Sequence, residues 1–430
     1  MNRRALCFRL SIFPALAVVM LAGITGCRYM SIPQKDDIQA KPAYQRGKSS
    51  TQVYNSAVIK GKLVSAEKIK VSTLIIACQS ADDDRKPVEY TTVNSNGDFM
   101  LYVPEGRYHL YAVTDYNANG AYEDDEVSGC YGSPLSPGEI SVREGGLITD
   151  AVIPVSRANG YTMKLPVDLS LIENPKIIRQ IAHNGQILKI YSEYFSPENA
   201  QTGYWNPSSF MKAFGAHIYL TEDYNPRKIP ILFIHGTEGS PHNWIYLYMR
   251  LDRSRYQPWF FYYPSGIRLS LAAALLNEEL RELHAKFGFQ KMAVVAHSVG
   301  GLTARSFLNH YITDKQNNFI KLFVSFATPW SGFEMADASQ RLPHKSIPVW
   351  VDLGTQSDFI KATLNEKFPA SVSHYIFYGH HDKLSGNKAI DDRAVSCAIK
   401  SYAFDCTHDS ILSDRKVFFQ FNAILEKELR

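Results

Sequence analysis

The chain has 430 residues, enough for two or three domains of ordinary size. Hydrophobic residues make up 45% and charged residues 20%, which excludes a disordered or collagen-like chain. Lys+Arg total 46 and Asp+Glu 42, a net +4 without a basic tract, so the charge pattern points away from nucleic acid.

The chain opens on an address. Arg3 and Arg4 precede an apolar run from Leu10 to Leu21, shorter than the roughly 20 apolar residues that span a bilayer. It reads as a secretory signal. The run ends Leu21-Ala22-Gly23-Ile24-Thr25-Gly26-Cys27, which resembles the lipobox of bacterial lipoproteins. That resemblance implies a signal peptide over 1–26, acylation of Cys27 and a membrane anchor. With Arg28 and not Asp after the Cys, it implies the outer membrane of a bacterial envelope, facing periplasm or surface. An ordinary signal peptide with an incidental Cys is the alternative. Cys7 leaves with the signal, so Cys78, Cys130, Cys397 and Cys406 remain, an even number that suggests disulfides outside the cytosol. Cys78–Cys130 and Cys397–Cys406 each fall inside one proposed domain, but three pairings are formally open.

Residues 27–52 are a polar tether. Residues 53–158 alternate short strands and turns: Lys70–Cys78, Tyr108–Val113 and Leu147–Ile153 are strand-like, and Asn96-Gly97 is a hairpin signal between Glu89–Val93 and Phe99–Val103. About 100 residues of this kind make a small β-sandwich. The run from Gly97-Asp98-Phe99 to Gly106-Arg107-Tyr108 resembles transthyretin-like, carboxypeptidase-regulatory-type sandwiches, which implies an accessory role. One loop matches a Ca²⁺ template: Asp115-x-Asn117-x-Asn119-Gly120, five further residues, then Glu126. Its flanks read as strands where an EF-hand needs helices, so a solvated Asx-rich turn stands beside a structural Ca²⁺ site.

From 165 to 430 apolar strands alternate with helices, the pattern of an α/β domain with a mostly parallel sheet. Strands are expected over 230–234, 259–263, 291–296, 320–326 and 374–378. Leu at 271, 275, 276, 280 and 283 predicts a helix over 269–287, and further helices are expected over 301–311 and 415–429.

The chemistry sits where these strands end. Val294-Val295-Ala296-His297-Ser298-Val299-Gly300-Gly301 follows a buried strand and opens a helix, the context of a nucleophile elbow. Ser298 is the candidate nucleophile, and the Val299 amide faces the developing oxyanion. The motif has Ala296 where Gly is usual. Ile231–Ile234 followed by His235-Gly236-Thr237 resembles the oxyanion loop of α/β-hydrolases. This makes the Thr237 amide the second donor and His235 and Gly236 shapers of the loop. His408, in Asp405-Cys406-Thr407-His408-Asp409-Ser410, resembles the His loop of bacterial lipases and is the candidate base. Two aspartates compete to orient it. Asp382 follows the 374–378 strand, and Asp392 sits in a segment resembling the Asn-Asp-Gly-x-Val of lipases. Asp392 is preferred. The run Phe326-Ala327-Thr328-Pro329-Trp330-Ser331-Gly332 stands where those enzymes carry Gly-Thr-Pro-His-x-Gly.

Together these segments resemble the α/β-hydrolase superfamily, and within it the bacterial lipase and GPI-inositol-deacylase-like esterases. The resemblance implies a Ser-His-Asp esterase that needs no cofactor and acts on an ester or lipid substrate. A non-catalytic envelope binding protein on the same scaffold, and an amidase or acyltransferase, are the alternatives. The insert Trp330–Asp358 suits either part of a lid or packed core.

Overall fold

The computed structural model describes residues 56–65, 72–79, 87–94, 96–156, 165–169, 172, 183–311, 318–341, 347–384 and 391–430. The signal, the tether and Cys27 lie outside the described residues. No helix among the described residues is long and apolar enough to cross a membrane.

The N-terminal part is all β: β1 (Ser56–Ser65), β2 (Thr73–Gln79), β3 (Glu89–Thr92), β4 (Asp98–Pro104), β5 (Gly106–Thr114), β6 (Val127–Cys130), β7 (Gly132–Ser133), β8 (Ser136–Pro137), β9 (Ile140–Val142) and β10 (Leu147–Val155). These strands do not part into two separately bonded sheets, because one residue pair, Val155 with Gly129, ties β10 to β6. The main strands join one hydrogen-bonded path, β3-β2-β5-β6-β10-β1-β4, with β9 on β5 and β7 paired to β8. At about 4.8 Å per spacing, a flat path would put β3 roughly 29 Å from β4. Residues 93–97 join those two strands and reach about 21 Å when fully extended, so the sheet must curl. The Asn96-Gly97 turn does form, with Asn94 N–H donating to Asp98 O at 2.9 Å. It is no ladder hairpin, however, because β3 pairs with β2 and β4 with β1.

Period-two alternation divides the two faces of the curled sheet. Tyr108, Leu110 and Ala112 of β5 join Ile75, Phe99 and Leu101 in the inner core. Tyr111 and Val113 face outward, where Leu165, Val167 and Ile172 cover them.

The rest is α/β. Helices α1 (Pro197–Trp205) and α2 (Pro207–Phe214) precede the seven strands β11 (His217–Leu220), β12 (Ile229–Ile234), β13 (Tyr256–Tyr262), β14 (Met292–His297), β15 (Ile320–Phe326), β16 (Ser373–Gly379) and β17 (Lys400–Phe404). Between and after the strands come α3 (Ile245–Tyr248), α4 (Leu269–Phe287), α5 (Val299–Tyr311), α6 (Asp337–Arg341), α7 (Pro348–Leu353), α8 (Asp358–Asn365), α9 (Asp392–Ser396) and α10 (Arg415–Glu428). The sheet order is β11-β13-β12-β14-β15-β16-β17. Only β11 runs antiparallel to its neighbour.

Every central strand is buried on both faces, hence its unbroken apolar run. Leu232 and Val294 face the cluster that holds α4, α5 and α8, while Phe233 and Val295 face the one that holds α3 and α10. Val58, Met100 and Tyr102 of the β-domain belong to the first cluster, so the two parts share a core. Trp330, Trp350 and Leu353 of the insert are fully buried there, and Trp350 Nε1 donates to Tyr204 Oη at 2.6 Å. These three side chains are packed core.

Candidate active site

Four loops at the carboxyl ends of parallel strands make the site. The first is the turn from β14 into α5. Ser298 has φ +53°, the left-handed region that disfavours an L side chain. The strain persists because neighbours hold it: Ser298 N–H donates to Phe326 O at 2.8 Å, and Gly301 N–H to Ser298 O at 2.9 Å. Small residues follow from close approach. A Cβ on Gly300 would stand 2.4 Å from His235 O, and one on Gly301 1.9 Å from Thr328 Oγ1. Ala296, where Gly is usual, is accommodated fully buried. Of four non-glycine residues with left-handed φ among the described residues, Glu238, Ser298 and Ala327 lie at these strand ends.

The second loop leaves β12. A Cβ on Gly236 would stand 2.7 Å from Ser298 Cβ, so backbone passes directly over the serine. His235 Nδ1 lies 2.8 Å from Gly236 O, an acceptor only, so Nδ1 carries the proton and Nε2 accepts Tyr263 N–H at 3.4 Å. The ring stacks on Tyr263 with centroids 4.5 Å apart. Burial lowers its pKa to about 4, so it is neutral. These contacts tie the ring to the backbone of its own loop and to Tyr263.

The third part is a pair of adjacent loops. β16 and β17 are parallel neighbours, and past their ends His380 N–H donates to Phe404 O and His381 N–H to Cys406 O. This brings Asp382 beside His408. His408 Nδ1 lies 2.9 Å from Asp382 Oδ2, and Nε2 lies 2.8 Å from Ser298 Oγ. All three residues are buried. A carboxylate only accepts, so Nδ1 carries the proton and Nε2 offers its lone pair to the serine hydroxyl.

The preference for Asp392 is thereby corrected. Asp392 is the exposed first residue of α9, whose N-cap is Asp391. Asp391 in turn holds Arg393 and the Ser331 hydroxyl. Asp392 resembles the lipase segment in sequence, but only Asp382 lies in the loop directly after the strand next to the one that delivers His408.

Sequence reasoning also passed over His297, the variable position of the elbow. Its Nε2–H donates to His408 O at 3.0 Å and so holds the base loop. Burial first, and the neighbouring His408 second, lower its pKa to about 3. His297, His408 and Asp409 each bring a metal-ligand atom within 4.8 Å of the others, but these are the base and its support.

The cysteines do not pair: Cys78, Cys130, Cys397 and Cys406 are all free. Cys78 and Cys130 lie on β2 and β6, which flank β5 on opposite sides. Two strand spacings are roughly 10 Å, beyond disulfide reach. Cys397 packs on the α4–α5 side of the α/β sheet and Cys406 on the α10 side. Burial pushes the Cys78 thiol up to about 12 and raises Cys130 and Cys406 as well, so these three thiols are not activated.

The Asp115–Glu126 loop lies in the other domain and is tied by bonds from its own amides to its side-chain oxygens. Asp115 accepts Asn119 and Gly120 N–H, Asn117 Oδ1 accepts Asn119 N–H, Asn119 Oδ1 accepts Ala121 N–H, and Glu126 accepts Asn117 and Glu123 N–H. The loop's own amides satisfy those oxygens, the pattern of an Asx-rich turn.

A family described as "Alpha/beta hydrolase of unknown function (DUF915)" matches residues 268–398, from α4 through the elbow and Asp382. No functionally curated protein matches. Among solved structures, the chain is similar to the product of gene lin2722 from Listeria innocua (17% identity, 46% of this chain and 94% of that one, TM-score 0.37). It is also similar to a monoacylglycerol lipase from Paleococcus ferrophilus (15%, 46% and 93%, 0.37) and to lipase B from Aspergillus fumigatus (14%, 56% and 59%, 0.38). Those identities and scores are too low to carry a substrate across. The strand order, the elbow after β14 and the matched stretch make residues 183–430 an α/β-hydrolase fold.

Proposed function

We infer that the protein is a serine hydrolase that cleaves carboxylic esters through an acyl-enzyme. The observation that carries this reading is the unbroken relay Asp382–His408–Ser298, buried, with both hydrogen bonds under 3 Å. His408 Nε2 takes the proton of Ser298 Oγ as that oxygen attacks the ester carbonyl. The amides of Thr237 and Val299 receive the oxyanion, since Gly236 sits on Ser298 and Val299 opens α5. When the intermediate collapses, the C–O bond to the alcohol breaks and His408 Nε2–H protonates the leaving oxygen. Water, deprotonated by Nε2, then attacks the acyl carbon; the bond from that carbon to Ser298 Oγ breaks, Nε2–H returns the proton to Oγ, and the carboxylic acid leaves. Asp382 keeps the ring in the required tautomer and stabilises the transient imidazolium.

Lipid acyl esters and a membrane station, through acylated Cys27 in the bacterial envelope, belong to the same reading. Their support is the lipobox resemblance and the apolar, aromatic-rich chain. Amide hydrolysis and acyl transfer share the acyl-enzyme and differ only in leaving group or acceptor.

Ser298→Ala is expected to abolish p-nitrophenyl ester hydrolysis and fluorophosphonate labelling. Asp382→Asn lowers kcat by about 10⁴-fold, as when a triad acid is neutralised, while Asp392→Asn leaves kcat within two-fold. Wild-type turnover in Ser298→Ala would sink the assignment. Rates on esters of increasing chain length decide between lipid and short-chain substrates.

A further inference from the structure

The oxyanion loop carries a strain that its own sequence does not hold. Glu238, next to the donor residue Thr237, has φ +50°. A left-handed conformation costs an L-residue about 1–2 kcal/mol and persists only where surrounding groups over-determine it. Two groups from outside the loop reach Glu238. Its N–H donates to Ser265 Oγ at 3.0 Å, and Trp205 Nε1 donates to its carboxylate at 3.0 Å. Ser265 is buried just past β13, and Gly266 N–H ties the same turn to Gly203 O in α1. Ser265 and Trp205 therefore come from two elements that are themselves bound together.

What this does follows from peptide planarity. In a trans peptide the carbonyl and the next N–H point in opposite directions. The Gly236 carbonyl is pinned by His235 Nδ1–H at 2.8 Å and Gly239 N–H at 3.1 Å, which fixes the direction of the Thr237 N–H. The following peptide is pinned by Glu238 N–H on Ser265. Thr237 is thus clamped between two fixed planes, and its amide cannot rotate away without breaking one of them.

The geometry points to Ser265 as a positioning residue for the oxyanion donor, acting through Glu238, with Trp205 holding the carboxylate end. This rests on the esterase reading above and adds a residue that never touches substrate. Its prediction is a loss confined to the transition state. Ser265→Ala is expected to lower kcat about 10- to 100-fold, below the loss of a whole oxyanion donor, with KM within two-fold. Affinity for a trifluoromethyl ketone, which forms the tetrahedral oxyanion on Ser298, falls by the same factor as kcat/KM. Ser265→Thr keeps the oxygen and restores most of the rate. Glu238→Gly relieves the backbone strain, so it keeps or raises Tm and still lowers kcat.

Rates are expressed per Ser298 titrated by fluorophosphonate, so a misfolded fraction does not count. Wild-type kcat in Ser265→Ala, or a loss carried wholly by KM, overturns the positioning role. A wild-type chain that fails to label at Ser298 overturns the esterase reading itself, and the positioning role falls with it.

Discussion

At the residue scale, the site depends on buried imidazoles that stay neutral. His235 has its pKa lowered to about 4 by burial, against an ordinary value of 6.5. The unfolded chain therefore binds more protons than the folded one between pH 6.5 and 4, and stability falls as pH falls through that window. A shift of this size is worth on the order of 3 kcal/mol. His297 and His374, both lowered to about 3, act in the same direction. Thermal unfolding followed from pH 7 to 4 is expected to show a falling Tm. His235→Asn keeps a donor near Gly236 O and is expected to make that slope shallower. An unchanged slope would mean that His235 is already protonated or solvated in the fold.

At the element scale, the pairing of β16 with β17 brings acid and base together. Gly379 closes β16, and a Cβ there would stand 2.3 Å from the Cys406 carbonyl oxygen and 2.9 Å from its carbon. Both are backbone atoms, so no rotamer relieves the clash and the two loops must part. Gly379→Ala is expected to cost about 1–3 kcal/mol in stability, as overpacking does, and to lower kcat at least 10-fold with little change in KM. Its measurement is a kcat and KM pair alongside a denaturant titration. Wild-type kcat would show that the His408 loop is set elsewhere.

At the scale of the whole molecule, the β-domain is joined to the α/β domain by buried charge as well as by shared core. Glu279 of α4 is fully buried, with one oxygen 2.6 Å from Lys60 Nζ of β1 and the other 2.7 Å from His217 Nδ1 of β11. Burial pushes the Glu279 carboxyl up, but His217 and Lys60 outweigh it and the net shift is downward. A second junction has Arg268 between Glu144 of the β-domain and Asp352 of α7. Breaking one side of a buried pair costs about 3–5 kcal/mol, because the partner stays buried and unpaired. Glu279→Gln is therefore expected to lower Tm by about 3–6 °C at this chain size. Adding Lys60→Met to it recovers part of that loss, as a double-mutant cycle in calorimetry would show. Additive losses would mean that the two residues do not interact.

Much was legible in the sequence because it was written locally. The elbow needs a strand, a serine among small residues and a helix, all within ten residues. The α4 helix was expected over 269–287 and spans Leu269–Phe287, because its apolar spacing is a property of one segment. His408 was legible for the same reason, as a motif placed just before the last helix. What needed the tertiary structure were the questions of which segment lies beside which. Asp382 and Asp392 sit ten residues apart on the same stretch, and only the lateral neighbour of β17 picks between them. Whether Cys78 reaches Cys130 depends on a third strand lying between them. How the strands of the β-domain are ordered depends on hydrogen-bonded pairing between segments far apart in sequence. Local pattern determines what each segment becomes, while lateral order and face are settled only when all segments compete for one core.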